Sequence, residues 1–106
     1  MESKQTAVLV TVDSEETARK ITSALLEARK AACVNIVPKV ESHYWWQGKM
    51  ETANELLLVV KTRAELLEEV VALVKKNHPY TVPEVIALPI VGGNEDYLRW
   101  VEGETG

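Results

Sequence analysis

Few side chains in this chain can do metal or nucleophilic chemistry: one cysteine, Cys33, and two histidines, His43 and His78. Thiolate and imidazole are the ligands that copper and zinc prefer. The three lie too far apart in sequence to form a local cluster, so any metal site must be assembled by the fold or between subunits. His78 is the stronger ligand candidate, because a histidine between a helix end and a proline is held in place and leans on the helix dipole. A helix C-cap explains it equally well. His43 reads as a strand-surface residue. Cys33 falls in an apolar strand and reads as a small buried hydrophobe rather than a nucleophile. The sequence contains no GxSxG, HExxH, Walker or GxGxxG motif, and no catalytic constellation stands out.

Other polar and aromatic groups have plain readings beside the functional ones. Trp45 and Trp46 would suit a stacking platform for bases or sugars, but a net charge of -4 removes the electrostatic half of that role. Burial at an interface fits them better. Gly92-Gly93-Asn94 before a helix suits an anion, and equally a turn and cap. Glu51, Glu55 and Glu84 read as solvent-facing or ion-paired.

These residues have to be placed by a long hairpin running from Ala31 to Thr62 and turning at Gln47-Gly48. On its left arm Val40, Ser42, Tyr44 and Trp46 share one face, and Lys39, Glu41, His43 and Trp45 the other, which is strand period. The right arm ends in the apolar run Leu56 to Val60, the mark of a strand covered on both faces. Arms of about fifteen residues at roughly 3.3 Å each would extend about 50 Å. A compact domain of about 100 residues has a radius of gyration near 13 Å and a diameter of about 35 Å. The hairpin must therefore overshoot or bend, leaving about 150 to 250 Å² per aromatic ring in need of cover. Another subunit is the natural cover. Pro38 cannot donate to a ladder and marks a bulge, an edge or a break; a bulge would flip the face of everything downstream.

Around the hairpin, Thr6 to Val12 reads as a buried strand. Asp13 and Glu16 have capping-box spacing and open a helix whose Ala18, Ile21, Leu25 and Ala28 form one stripe, with Glu15, Arg19, Lys20 and Glu27 facing water. Thr62 and Glu65 form a second such box, before a helix with Leu66, Leu67, Val70, Val71 and Val74 on its apolar face. That helix ends at Asn77-His78-Pro79. Residues 78 to 84 trace a rigid path, Val85 to Val91 form a fourth strand placed at an edge or bulge by Pro89, and Asn94 caps a short helix ending near Trp100. The order β-α-β-β-α-β plus a C-terminal helix is an α+β, ferredoxin-like split βαβ sandwich with a long hairpin between the second and third strands. Two helices cover one sheet face only, so the doubly apolar run again implies a partner subunit.

Composition sets the outer limits. The 106 residues, 46% hydrophobic and 26% charged, fit a single domain, 1 to 106. An acidic balance without a basic stripe argues against nucleic acid and anionic membrane as partners. The lone cysteine rules out an internal disulfide and permits a reducing compartment. With no signal-like apolar stretch at the start and no apolar run of about 18 residues, the expected location is the cytoplasm.

The ordered motifs AACVNIVP, YWWQGK, LLLVVKT, HPYTVPEVIALPI and GNEDYLRW resemble the CutA family of divalent-cation tolerance proteins over nearly the whole chain, from the first strand to Trp100. The resemblance implies a tight homotrimer with the hairpins paired between subunits, placing Pro38, Tyr44, Trp45 and Trp46 at the trimer interface. It also implies a role in tolerance of copper and other divalent ions without an enzymatic activity, and an architecture similar to the PII signalling proteins. Some members carry a cysteine at the end of the first strand and a His-His pair before the Pro-Tyr. Here those positions are Val10 and Asn77-His78, which leaves His78 as the metal ligand. Lys61, Tyr80, Glu84 and Cys33, beside Trp46, match family groups near a subunit boundary and are expected to line an intersubunit cleft. The expected cofactor is a divalent cation, Cu²⁺ or Zn²⁺, with no organic cofactor. Three functions follow: a metal-tolerance trimer, a PII-like sensor of a small ligand, and a scaffold for another protein.

Overall fold

A computed structural model describes residues 3–106. Its elements are β1 (Gln5–Val12), α1 (Glu15–Glu27), β2 (Cys33–Trp46), β3 (Lys49–Arg63), a 3-10 turn (Ala64–Leu66), α2 (Leu67–Asn77), β4 (Val85–Pro89) and α3 (Glu95–Glu104). The strands form one sheet in the order β2-β3-β1-β4, each neighbouring pair antiparallel. This is the split βαβ arrangement expected from the order of elements.

Strand alternation divides the sheet into two unlike faces. On one, Val8, Val10, Val12, Leu58 and Val60 are fully buried against Ala18, Ile21 and Leu25 of α1 and Val70 and Val74 of α2. On the other, the register aligns Leu9 with Val59 and Ile86, Thr11 with Leu57, and Ala7 with Lys61 and Leu88. Ile86 is 50% and Leu88 48% exposed, although both project from the sheet. Among the helices of the described residues, α3 is the one that lies across this second face, at one end, where Gln5 Nε2 donates to Glu102 Oε1 at 2.9 Å and Arg63 Nε donates to Thr105 Oγ1 at 2.9 Å. At the other end the loop after α2 packs Tyr80 over Glu55, and between the two the face is apolar, with Leu9, Leu57 and Val59 half-buried and Ile86 and Leu88 exposed.

The hairpin overshoots the domain. The chain extends 44 × 28 × 23 Å with a radius of gyration of 14.2 Å, above the roughly 13 Å of a compact chain of this size. Gln47 (φ 50) and Gly48 (φ 78) are both left-handed, the turn whose twist matches a two-residue hairpin. At Pro38 the ladder slips: Val37 pairs with Leu57 but Val40 pairs with Glu55, one extra residue on β2, with Lys39 at φ 62. This bulge keeps Val37 and Val40 on the same face. It thereby carries Ser42, Tyr44 and Trp46 onto the open face and Glu41, His43 and Trp45 onto the other.

Several boundaries differ from expectation. Ser14 rather than Asp13 caps α1: its Oγ accepts from Thr17 N–H at 3.2 Å, from an extended backbone at φ -155, a bond worth about 1 kcal/mol. Ala28 ends that helix and is exposed, and Arg29 (φ 59) turns the chain as Lys30 N–H bonds back to Leu25 O at 2.9 Å. Thr62 is not a cap. Pairing with Thr6 holds it in β3, fully buried, and its hydroxyl donates to Lys30 O at 2.6 Å. The helix consequently starts later, through the 3-10 turn and without a side-chain cap. β4 stops at Pro89, and α3 runs past Trp100 to Glu104, held by fully buried Val101 and by Thr105 Oγ1 donating to Val101 O at 2.9 Å.

Candidate functional site

Two polar groupings lie on the open face, at opposite ends. The first is built where the loop after α2 crosses the sheet. α2 stops at Asn77 because Pro79 forces His78 into an extended conformation, φ -102 and ψ 136, and this turns the imidazole onto β1. Its Nε2 lies 2.8 Å from Thr11 O and its Nδ1 3.2 Å from Tyr80 N. A carbonyl can only accept and an amide can only donate, so the ring is the neutral Nε2–H tautomer with both nitrogens occupied. It is 8% exposed and tilted against the Tyr80 ring at 4.5 Å between centroids. A cation on His78 would displace one of these backbone hydrogen bonds; the ring is a strut that fixes Tyr80. The metal-ligand role expected for His78 would need one of these two nitrogens released.

Tyr80 in turn donates its hydroxyl to Glu55 Oε2 at 2.8 Å. Glu55 was expected to face solvent or to ion-pair, but it is buried, with Tyr80 as its partner. Glu84 accepts from Thr11 Oγ1 at 3.5 Å beside them. Burial, then the hydrogen bond to Glu55, then the negative charges of Glu55 and Asp13 push the Tyr80 phenol well above its ordinary range. The native state therefore keeps a proton that the unfolded chain releases near pH 10, so this contribution to stability is complete below about pH 10 and is lost as pH rises further. Tyr80→Phe should flatten the fall in stability between about pH 9 and 11, while costing about 1 kcal/mol at neutral pH by leaving Glu55 without its donor. Urea unfolding of both proteins at a series of pH values measures this. Equal alkaline slopes would contradict it.

The second grouping sits near α3. Lys61 Nζ donates to Asn35 Oδ1, Cys33 Sγ lies 3.9 Å from the same oxygen, and the Tyr97 phenol is raised by burial and by the neighbouring Cys33. Cys33 is half-buried rather than interior. Of the four residues expected in one cleft, Glu84 accepts from Thr11 directly and Tyr80 is tied to Thr11 through His78, while Lys61 and Cys33 meet at Asn35. Glu55 and Lys61 stand six residues apart on β3, about 20 Å along an extended strand, so one chain does not join the two pairs. Asn35, Tyr97, Thr11 and Glu55 escaped the sequence reading as site residues. Only Glu55 left a signal, as a charge next to the apolar run at Leu56. At the hairpin end Trp45 is 71% exposed, Tyr44 and Trp46 are about half exposed, and Pro38 sits at the bulge.

The family model for the CutA1 divalent ion tolerance protein matches residues 6–104. The divalent-cation tolerance protein CutA of Thermus thermophilus is 54% identical over 99 residues, covering 93% of this chain and 96% of that protein. The chloroplastic protein CutA 1 of Oryza sativa is 51% identical over 98 residues, covering 92% of this chain but 55% of that protein. The chain thus spans about half the length of that plant relative. The solved structure of the Thermus thermophilus protein, named a divalent cation tolerance protein, superposes with a TM-score of 0.94 at 53% identity, covering 96% of this chain and 99% of that one.

Proposed function

Because the chain belongs to the CutA1 family of divalent ion tolerance proteins, we propose that it is a non-enzymatic homotrimer acting in the cytoplasm in the tolerance of divalent metal ions such as copper, and that it takes up the ion directly. The observation that carries the assembly is the open sheet face. Leu9, Leu57, Val59, Ile86 and Leu88 are aligned by the register into an apolar patch that the chain's own helices leave uncovered, and Tyr44 and Trp46 lie on the same face further along the overshooting hairpin. A soluble chain buries such a surface against a copy of itself, because removing about 25 cal/mol of unfavourable hydration per Å² is the main drive for association. The names of the relatives support the cation role.

Among the described residues no three His, Cys, Asp or Glu side chains come together as a metal cage. Within one chain an ion thus meets fewer than three such ligands, and water or a neighbouring subunit completes its shell. A second reading has one observation in its favour. The Lys61 ammonium, bonded to Asn35 and paired across the ladder with Cys33, is a polar spot on the open face, and in a trimer it would offer a small anion a cationic wall.

Sedimentation equilibrium of the metal-stripped protein, with calorimetric titration by Cu²⁺ and Zn²⁺, tests the proposal. Expected are a mass of three chains and saturable uptake at a fixed ratio per chain. A monomeric mass overturns the assembly, and non-saturating heats overturn direct ion uptake. A thermal midpoint raised by small anions without metal would favour the second reading.

A further inference from the structure

The chain has two imidazoles, and the structure distinguishes them. Both nitrogens of His78 are occupied by backbone groups in a buried setting. His43 is exposed on the overshooting arm of β2, on the face opposite Tyr44, because the bulge at Pro38 turned it there. Glu41, two residues back on that face, brings Oε2 to 2.6 Å from His43 Nε2. Across the ladder Asn54 stands opposite Glu41 and Thr52 opposite His43. The four side chains line a concavity of about 370 Å³ with Ala53.

We propose that Glu41 and His43 form a divalent-cation site, with the Asn54 side-chain oxygen across the ladder as a further ligand and water completing the shell. The inference rests on the reading that this protein takes up a cation, and it assigns the ligands. A metal bonded to an imidazole nitrogen and a carboxylate oxygen at about 2.1 Å each, at a right angle, holds those two atoms about 3 Å apart. The observed pair needs to open by only a few tenths of an ångström, which exposed side chains do freely. The metal takes the position of the proton the two groups share, and that proton passes to solvent. One imidazole with oxygen donors and an open shell favours Cu²⁺ over Zn²⁺ by the general order of divalent affinities and by the tetragonal geometry copper accepts. As an ion pair alone, two groups this exposed contribute little to stability, so replacing them leaves the fold intact.

The test loads the metal-stripped full chain with Cu²⁺ alone, read by calorimetry and by electron paramagnetic resonance. The wild type is expected to bind one ion per chain with hyperfine coupling to a single imidazole nitrogen. His43→Ala should lose that coupling and weaken binding by at least about tenfold, since even partners one layer outside a metal cost about 10- to 100-fold. Glu41→Gln should weaken binding while keeping the nitrogen signal. Undiminished Cu²⁺ affinity and an unchanged spectrum in His43→Ala would overturn the assignment and leave ion uptake standing at another site. Absence of saturable Cu²⁺ binding in the wild type would overturn both.

Discussion

Leu58→Ala is expected to destabilise the native protein by about 3 to 4 kcal/mol, compared at equal chain concentration. Leu58 is fully buried on β3, a central strand, between Val8, Val10 and Val12 of β1 and the stripe of α1. Truncating it removes the transfer energy of three carbons and leaves a cavity that a flat, fully paired strand cannot collapse to fill. Domains of this size hold about 5 to 15 kcal/mol in all, so the loss is a large share. Leu26→Ala on α1, where the side chain is 40% exposed, should change stability by less than about 1 kcal/mol. Urea unfolding of the two variants beside the wild type measures the contrast. A Leu58→Ala loss below about 1 kcal/mol would mean the helix-covered face is not the core.

The elements legible in the sequence are those whose signal is local and repeated. The stripe of Ala18, Ile21 and Leu25, the valine-rich first strand and the unbroken run Leu56 to Val60 each carry their period within a few residues. Pro38 announced a bulge, an edge or a break because a missing N–H is a property of the residue itself, and the structure has both a bulge there and β2 at the sheet edge. Thr62 misled because its local spacing to Glu65 is that of a cap, while its state is decided by Thr6, more than fifty residues away in the ladder. Asp13 and Ser14 both carry a capping oxygen, and sequence alone cannot say which backbone turns first.

The candidate site was less legible, since its bonds join distant parts of the chain. His78 meets a carbonyl 67 positions earlier, and the Tyr80 hydroxyl meets Glu55 from 25 positions away. A buried histidine bonded to backbone and a buried histidine poised for a metal look alike until those partners are placed. The same holds for Lys61 and Tyr80, both on motifs that match the family, yet separated along the sheet. Proximity of site residues within one chain does not follow from their presence in the motifs, and here one chain keeps the two groupings apart.

If the protein assembles as the proposed trimer, Leu9→Asp is expected to convert it to a monomer. Leu9 lies at the centre of the open face, with Val59 and Ile86 as its cross-strand neighbours. In an isolated chain this position is half-buried, and a carboxylate there can reach water. In an assembly that closes the face, three such charges would be buried without partners, each costing several kcal/mol, and the association free energy would not offset them. Sedimentation equilibrium reads the mass directly, and far-ultraviolet circular dichroism checks that the sheet survives. The monomer should also unfold with a midpoint independent of concentration, whereas the midpoint of a trimer rises with it. If Leu9→Asp keeps a trimeric mass, the face is open to water in solution. Assembly would then have to rest on the hairpin aromatics Tyr44, Trp45 and Trp46 alone, and Trp46→Ala would become the variant that separates the chains.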